Sequence, residues 1–210
     1  MNEQGEYDGF DMDLIKEVGK RLGMEVKIEA LEFESLIASL KQGKIDAIIS
    51  CMARDPEREK EADFTIPYLL IKDGVLVNPE SELEINELDD VLKYEFAVQT
   101  GTTMDKWATI KAEENLVKDS QIKRYTDANA AALDVKNGRV DAFLVDLPVA
   151  ESKAKELGLK VAFSCALDEG APCIVLRKGS DEMVEKLNGI IEDIIEDGTL
   201  KTLEDKWLED

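Results

Sequence analysis

Histidine is absent from all 210 residues, and the chain carries only 3 cysteines, 5 prolines and 26 basic residues against 47 acidic ones. Without imidazole, the commonest general base, the histidine-dependent serine triad and the usual zinc ligand drop out together. Cys51, Cys165 and Cys173 follow no Cys-x-x-Cys or other metal-like spacing, so core packing is their first reading. Cys165 and Cys173 flank a Gly170-Ala171-Pro172 turn, and a bridge between them in an oxidising compartment is the alternative. No apolar run approaches the ~20 residues needed to cross a bilayer. The N-terminus Met1-Asn2-Glu3-Gln4 lacks the basic-then-apolar order of a signal peptide. A formal charge of −21 disfavours nucleic acid and anionic membrane surfaces. Nothing in the sequence calls for a cofactor, a metal or a catalytic residue.

What is present is an internal repeat. Lys41-Gln42-Gly43-Lys44-Ile45-Asp46-Ala47-Ile48-Ile49 is echoed by Lys136-Asn137-Gly138-Arg139-Val140-Asp141-Ala142-Phe143-Leu144, 95 residues later. In each copy an amphipathic helix ends at a glycine, a basic residue and an aspartate follow, and an apolar β-rich run enters a buried strand. Two related α/β lobes are expected, with polar residues at the strand ends, Ser50 and Asp146, facing a cleft where ligands of open α/β sheets bind. A chain of this size buries about 70% of its unfolded surface, so an apolar core suffices without disulfides.

Periodicity predicts helices over 10–22, 34–42, 102–113, 127–137, 181–196 and 200–208, with Gly23 and Gly198 as stops. Strands are expected at Val26–Leu31, Ile45–Ser50, Asp73–Val77, Glu95–Val98, Ile122–Tyr125, Val140–Val145 and Cys173–Leu176. The second lobe thus reads β-α-β-α-β and the first only α-β-α-β, its first strand missing from the sequence. Such a gap falls mid-sheet in a flavodoxin-like order, so the chain re-pairs its strands, borrows one in a strand-exchanged homodimer, or is a truncated form. The expected lobes are 1–78 with 173–210, and an inserted 79–172, joined by two crossovers that form a hinge.

Several motifs together resemble a known family. Gly9-Phe10-Asp11-Met12-Asp13-Leu14, Gly43 to Ser50, Pro56-Glu57-Arg58 ahead of Asp63-Phe64, Gly101-Thr102-Thr103 and Lys206-Trp207-Leu208 stand in the order found in extracytoplasmic (periplasmic) amino-acid-binding proteins of ABC importers. The resemblance spans essentially the whole chain. It implies a type II periplasmic-binding fold: α/β, two-lobed, each lobe a flavodoxin-like, mostly parallel sheet with flanking helices. It also implies a periplasmic setting and a membrane permease as partner.

By the same resemblance, Arg58 grips the α-carboxylate of a small zwitterion. A guanidinium suits that role because its planar fork of donors matches a carboxylate and stays charged at any working pH. Thr102 and Thr103 open a helix whose N-terminus favours an anion, Asp146 receives the α-ammonium, and Phe33 packs on the ligand's apolar part. Cys51 and Ala53 occupy ligand-side positions where relatives usually carry Gly or Ser, and Ser or Thr. Plain alternatives stand beside these roles: Arg58 as a solvated surface residue, Thr102 and Asp146 as helix caps, Phe33 as core. Two other functions stay open. One is an enzyme on the same scaffold, like the cyclohexadienyl dehydratases, with Asp146 or Glu151 as general acid; the other is a sensory or ligand-dead module.

Overall fold

A computed structural model describes residues 7–167 and 171–208. Gly170 of the expected Gly-Ala-Pro turn and the Met1–Gln4 segment lie outside those residues. The chain folds as two compact units, one made of the residues up to Leu31, Ser35–Leu69 and those from Ala171 onward, the other of Glu32–Glu34 and Leu70–Gly170. No helix among the described residues is long and apolar enough to cross a membrane.

The first unit begins with α1 (Phe10–Leu22), which buries Phe10, Leu14 and Val18 on one stripe. Asp11 and Asp13 in its first turn and Lys20 and Arg21 in its last complement the helix dipole. Gly23, at φ 68°, closes it: the Gly23 N–H donates to Lys20 O and the Met24 N–H to Gly19 O. α2 (Leu36–Lys41) follows a 3-10 turn over Phe33–Ser35 and leads into β1, only Ala47–Ile48. α3 (Pro56–Glu61) starts on Pro56 with Asp55 as its cap, and β2 (Ala62–Pro67) ends this passage.

The second unit holds β3 (Asp73–Val77), β4 (Phe96–Gln99), α4 (Thr103–Glu113), β5 (Ile122–Tyr125), α5 (Ala128–Lys136), β6 (Ala142–Asp146), α6 (Leu147–Leu157) and β7 (Lys160–Cys165). The strand order is β5-β4-β6-β3-β7. β4 runs parallel to both β5 and β6, and β3 runs antiparallel to β6 and β7. Both faces of this sheet are covered. Val75, Val77, Phe96, Val98 and Leu144 point into one buried cluster, while Leu76, Ala97, Phe143 and Val145 point into another.

The chain then re-enters the first unit as β8 (Cys173–Arg177), α7 (Asp181–Glu196) and α8 (Thr199–Trp207). β8 lies between β1 and β2 and is antiparallel to both. Phe10, Leu14, Val18, Tyr68, Ile174, Leu187, Ile191 and Ile194 form the core of this unit.

Three expectations change. Val26–Leu31 alternates apolar and polar residues as a strand should, yet 24–32 carries no strand, because no partner among the described residues offers it a ladder. Val26 instead packs on α1, where a Cβ at Gly19 would stand 2.3 Å from its Cγ2. Asp73–Val77, counted with the first lobe in the expected ranges, is the fourth strand of the five-stranded sheet; its five consecutive buried residues suit a position covered on both faces. The sheets are not mostly parallel, since one is mixed and the other antiparallel. The first reading of the cysteines as unbridged stands, since Cys51, Cys165 and Cys173 all keep free thiols and the alternative bridge from Cys165 to Cys173 does not form.

Candidate functional site

In the first unit the loop that leaves β1 is held at four successive points. Cys51 adopts φ 47°, a left-handed conformation that costs a residue with a Cβ about 1–2 kcal/mol. Its N–H donates to Asp11 Oδ2 at 3.0 Å, and the other carboxylate oxygen accepts the Tyr68 hydroxyl at 2.9 Å. The carbonyl of buried Met52 accepts the Cys173 N–H at 3.1 Å. Ala53 bridges to Pro172, and its carbonyl accepts Arg58 Nη1–H at 2.8 Å. Arg58 is 7% exposed and places Nε 3.1 Å from Asp55 Oδ2, while Asp55 Oδ1 caps the N–H groups of Glu57 and Arg58. One aspartate therefore sets both the start of α3 and the guanidinium that α3 carries. The surface reading of Arg58 does not fit a side chain so enclosed. Arg54 donates to the carbonyls of Phe64 and Thr65 and lies 3.4 Å from Glu59, in keeping with a structural place at the surface.

Asp11 retains some accessible surface, yet its carboxylate is enclosed by protein atoms. Burial raises its pKa above the ordinary value in spite of the bonds from Tyr68 and Cys51, which act to lower it. A raised carboxyl pKa means that the folded state holds its proton longer than the unfolded one. Stability from this group is therefore lost as pH climbs from the unfolded value through the folded one. Burial first, and then the Asp11 charge, push the Tyr68 phenol well above its usual value, so it remains a donor. Burial also lifts the Cys173 thiol to about 11, which makes it an inert packing group.

In the second unit β4 and β6 are parallel neighbours, so the residues beyond their carboxyl ends share one edge of the sheet. Gly101-Thr102-Thr103 follows β4, and Asp146 ends β6. Thr102 caps α4: its Oγ1 accepts the Asp105 N–H at 3.3 Å and donates to Gln99 O at 2.7 Å. That capping duty leaves the first-turn N–H groups of α4, rather than the Thr102 hydroxyl, as the donors such a helix end offers an anion. Gly101, at φ 80°, has Glu34 against it, since a Cβ there would lie 3.2 Å from Glu34 Cβ. Asp146 sits at the N-cap position of α6 beside Leu147 and Pro148, but its carboxylate makes no capping bond to that helix. Phe33, next to Glu34, is half-buried rather than sealed in a core.

The structure thus gathers Cys51, Ala53 and Arg58 in the first unit, and brings Thr102, Thr103 and Asp146 to one sheet edge in the second. Sequence reasoning passed over Asp11, Asp55 and Tyr68 as site residues. Asp11 lay inside the Gly9–Leu14 motif, and Asp55 immediately precedes Pro56 at cap spacing, so both carried a legible signal. Tyr68 carried none.

These two units, with antiparallel and mixed sheets and a buried arginine behind a strand end, have the type II periplasmic-binding architecture. An ancestral arginine-binding protein solved with bound arginine superposes with a TM-score of 0.90 at 32% identity, covering 99% of this chain and 91% of that one. The ancestral amino-acid-binding protein described as a precursor of cyclohexadienyl dehydratase gives 0.83 at 31% identity, over 98% and 87%. The L-cystine-binding protein TcyJ of Escherichia coli K12 is 29% identical over 206 residues, 98% of this chain and 76% of that protein. The model of the bacterial extracellular solute-binding proteins, family 3, matches residues 1–210, and the chain belongs to that family.

Proposed function

We propose that this chain is the solute-binding component of an amino-acid ABC importer, working outside the cytoplasm and handing its ligand to a membrane permease. The family match along the whole chain carries this reading. Relatives named for cystine and arginine support an amino acid as the ligand class.

In this reading Arg58 binds the α-carboxylate with the first-turn N–H groups of α4 at Thr102 and Thr103, and Asp146 binds the α-ammonium. Phe33 lies along the apolar part of the side chain, and Cys51 and Ala53 offer the ligand their backbone groups. Ala53 has no hydroxyl to offer the carboxylate, a loss of about 0.5–1.5 kcal/mol relative to a serine that bonds it. The chain acts as a binder rather than an enzyme, in line with its family of solute-binding proteins and with relatives named as binding proteins.

A thermal-shift screen of the twenty amino acids tests the proposal. A true ligand at 100 times its dissociation constant adds about 2.7 kcal/mol of stability. One or a few amino acids should raise the melting temperature, and twenty flat traces would refute the reading.

A further inference from the structure

We propose that Asp11 is a positioning residue for ligand capture, acting through Cys51. The inference rests on the amino-acid-binding reading above.

Cys51 follows β1 by three residues and begins the turn that ends at Ala53, whose carbonyl anchors Arg58. It is one of two non-glycine residues with positive φ among the described residues. The other, Asn115, is of a type that tolerates the left-handed region, whereas cysteine has no such preference. Something must hold Cys51 there, and the Asp11 carboxylate does so through the backbone N–H. Tyr68, 1% exposed, fixes the second oxygen of that carboxylate, so the acceptor itself cannot turn away.

This arrangement is poorly explained by stability alone. Enclosing a carboxylate raises its pKa and makes its ionised form costly to the fold, whereas glycine at position 51 would take the same conformation unaided. The charge is well placed for another end. An ionised acceptor makes the stronger bond, and it fixes the direction of the 51–53 backbone and, through Ala53, of the Arg58 guanidinium. A loop already set before the ligand arrives loses less order on binding.

Calorimetric titration with the amino acid selected by the thermal-shift screen provides the test. Asp11→Ala is expected to weaken binding about 30-fold, the equivalent of about 2 kcal/mol. Adding Cys51→Gly to Asp11→Ala is expected to recover affinity to within about threefold of wild type, because glycine needs no partner to hold positive φ. A merely structural role for Asp11 gives no reason for that rescue. Wild-type affinity in Asp11→Ala, or a double variant no tighter than the single one, would overturn the inference and leave the binding function standing. Failure of the wild type to bind any amino acid would overturn both.

Should Asp11→Ala not fold, hydrogen exchange on the unliganded wild type still decides. The Cys51 amide is expected to be protected at least about 100-fold over an open chain, as a bonded amide is. An unprotected amide would overturn the inference.

Discussion

The two copies of the repeat start alike and end differently. Gly43 and Gly138 both close a helix in the left-handed conformation, at φ 70° and 66°. Each does so with the same pair of bonds: Gly43 and Lys44 donate to Leu40 and Ser39, Gly138 and Arg139 to Val135 and Asp134. Beyond that point the second copy becomes β6, five residues long with four buried, and the first becomes β1, two residues paired on one side only. The difference lies in the partner. β6 has β4 beside it, and Asp141 ties the two together by accepting the Glu95 N–H at 2.9 Å. Asp46, its counterpart, is fully exposed, with Arg177 3.9 Å away. A local sequence signal specifies the helix stop in both copies, and a neighbouring strand decides how much sheet follows.

The copies also differ in what they present. The loop after β1 carries the Arg58 cation, and β6 ends on the Asp146 anion. The largest expected effect tests this opposition. Arg58→Ala should weaken amino-acid binding at least about 100-fold by calorimetry, since losing one partner of a buried charge pair costs about 2–5 kcal/mol. Its melting temperature should fall as well, because the Ala53 carbonyl and Asp55 both lose a partner. Asp146→Asn should weaken binding less, by about 10-fold, as befits a hydrogen bond to a charged group retained in neutral form. Equal affinity in either variant and wild type would remove that residue from the site.

Next in size are the helix stops. Gly43→Ala and Gly138→Ala should each cost about 1–2 kcal/mol in chemical denaturation, the price of a Cβ in the left-handed region. The two costs should match, because neither site crowds a new Cβ closer than 3.7 Å. The smallest effect separates the copies again. Asp141→Ala should cost about 0.5–1.5 kcal/mol for its lost bond to Glu95, and Asp46→Ala close to nothing. A reversed order would show that the first copy has a strand contact that the second lacks.

Much of the fold was legible because glycine stops and helical periodicity are local. α1 and α7 match their expected bounds, and Gly198, at φ 79°, separates α7 from α8 as read. Strands were less secure, since a ladder needs a partner that the local pattern does not name. Val26–Leu31 shows the pattern without the ladder. β2 shows the reverse: Ala62–Pro67 was not read as a strand, only its Asp63-Phe64 pair entering as part of a motif, yet it pairs with β8. Arg58 was found through resemblance and the chemistry of its fork, while its burial became visible only with Asp55 and Ala53 in place. Tyr68 stayed hidden because its use depends on Asp11, 57 residues earlier.

The central claim is that a fixed guanidinium reads the ligand's carboxylate. Calorimetric titration of the unmodified protein with the selected amino acid and with its α-carboxamide tests this directly. The carboxamide, which has lost the charge but kept the shape, should bind at least about 100-fold more weakly, consistent with losing a buried ionic partner. Equal affinity for the two would contradict the claim.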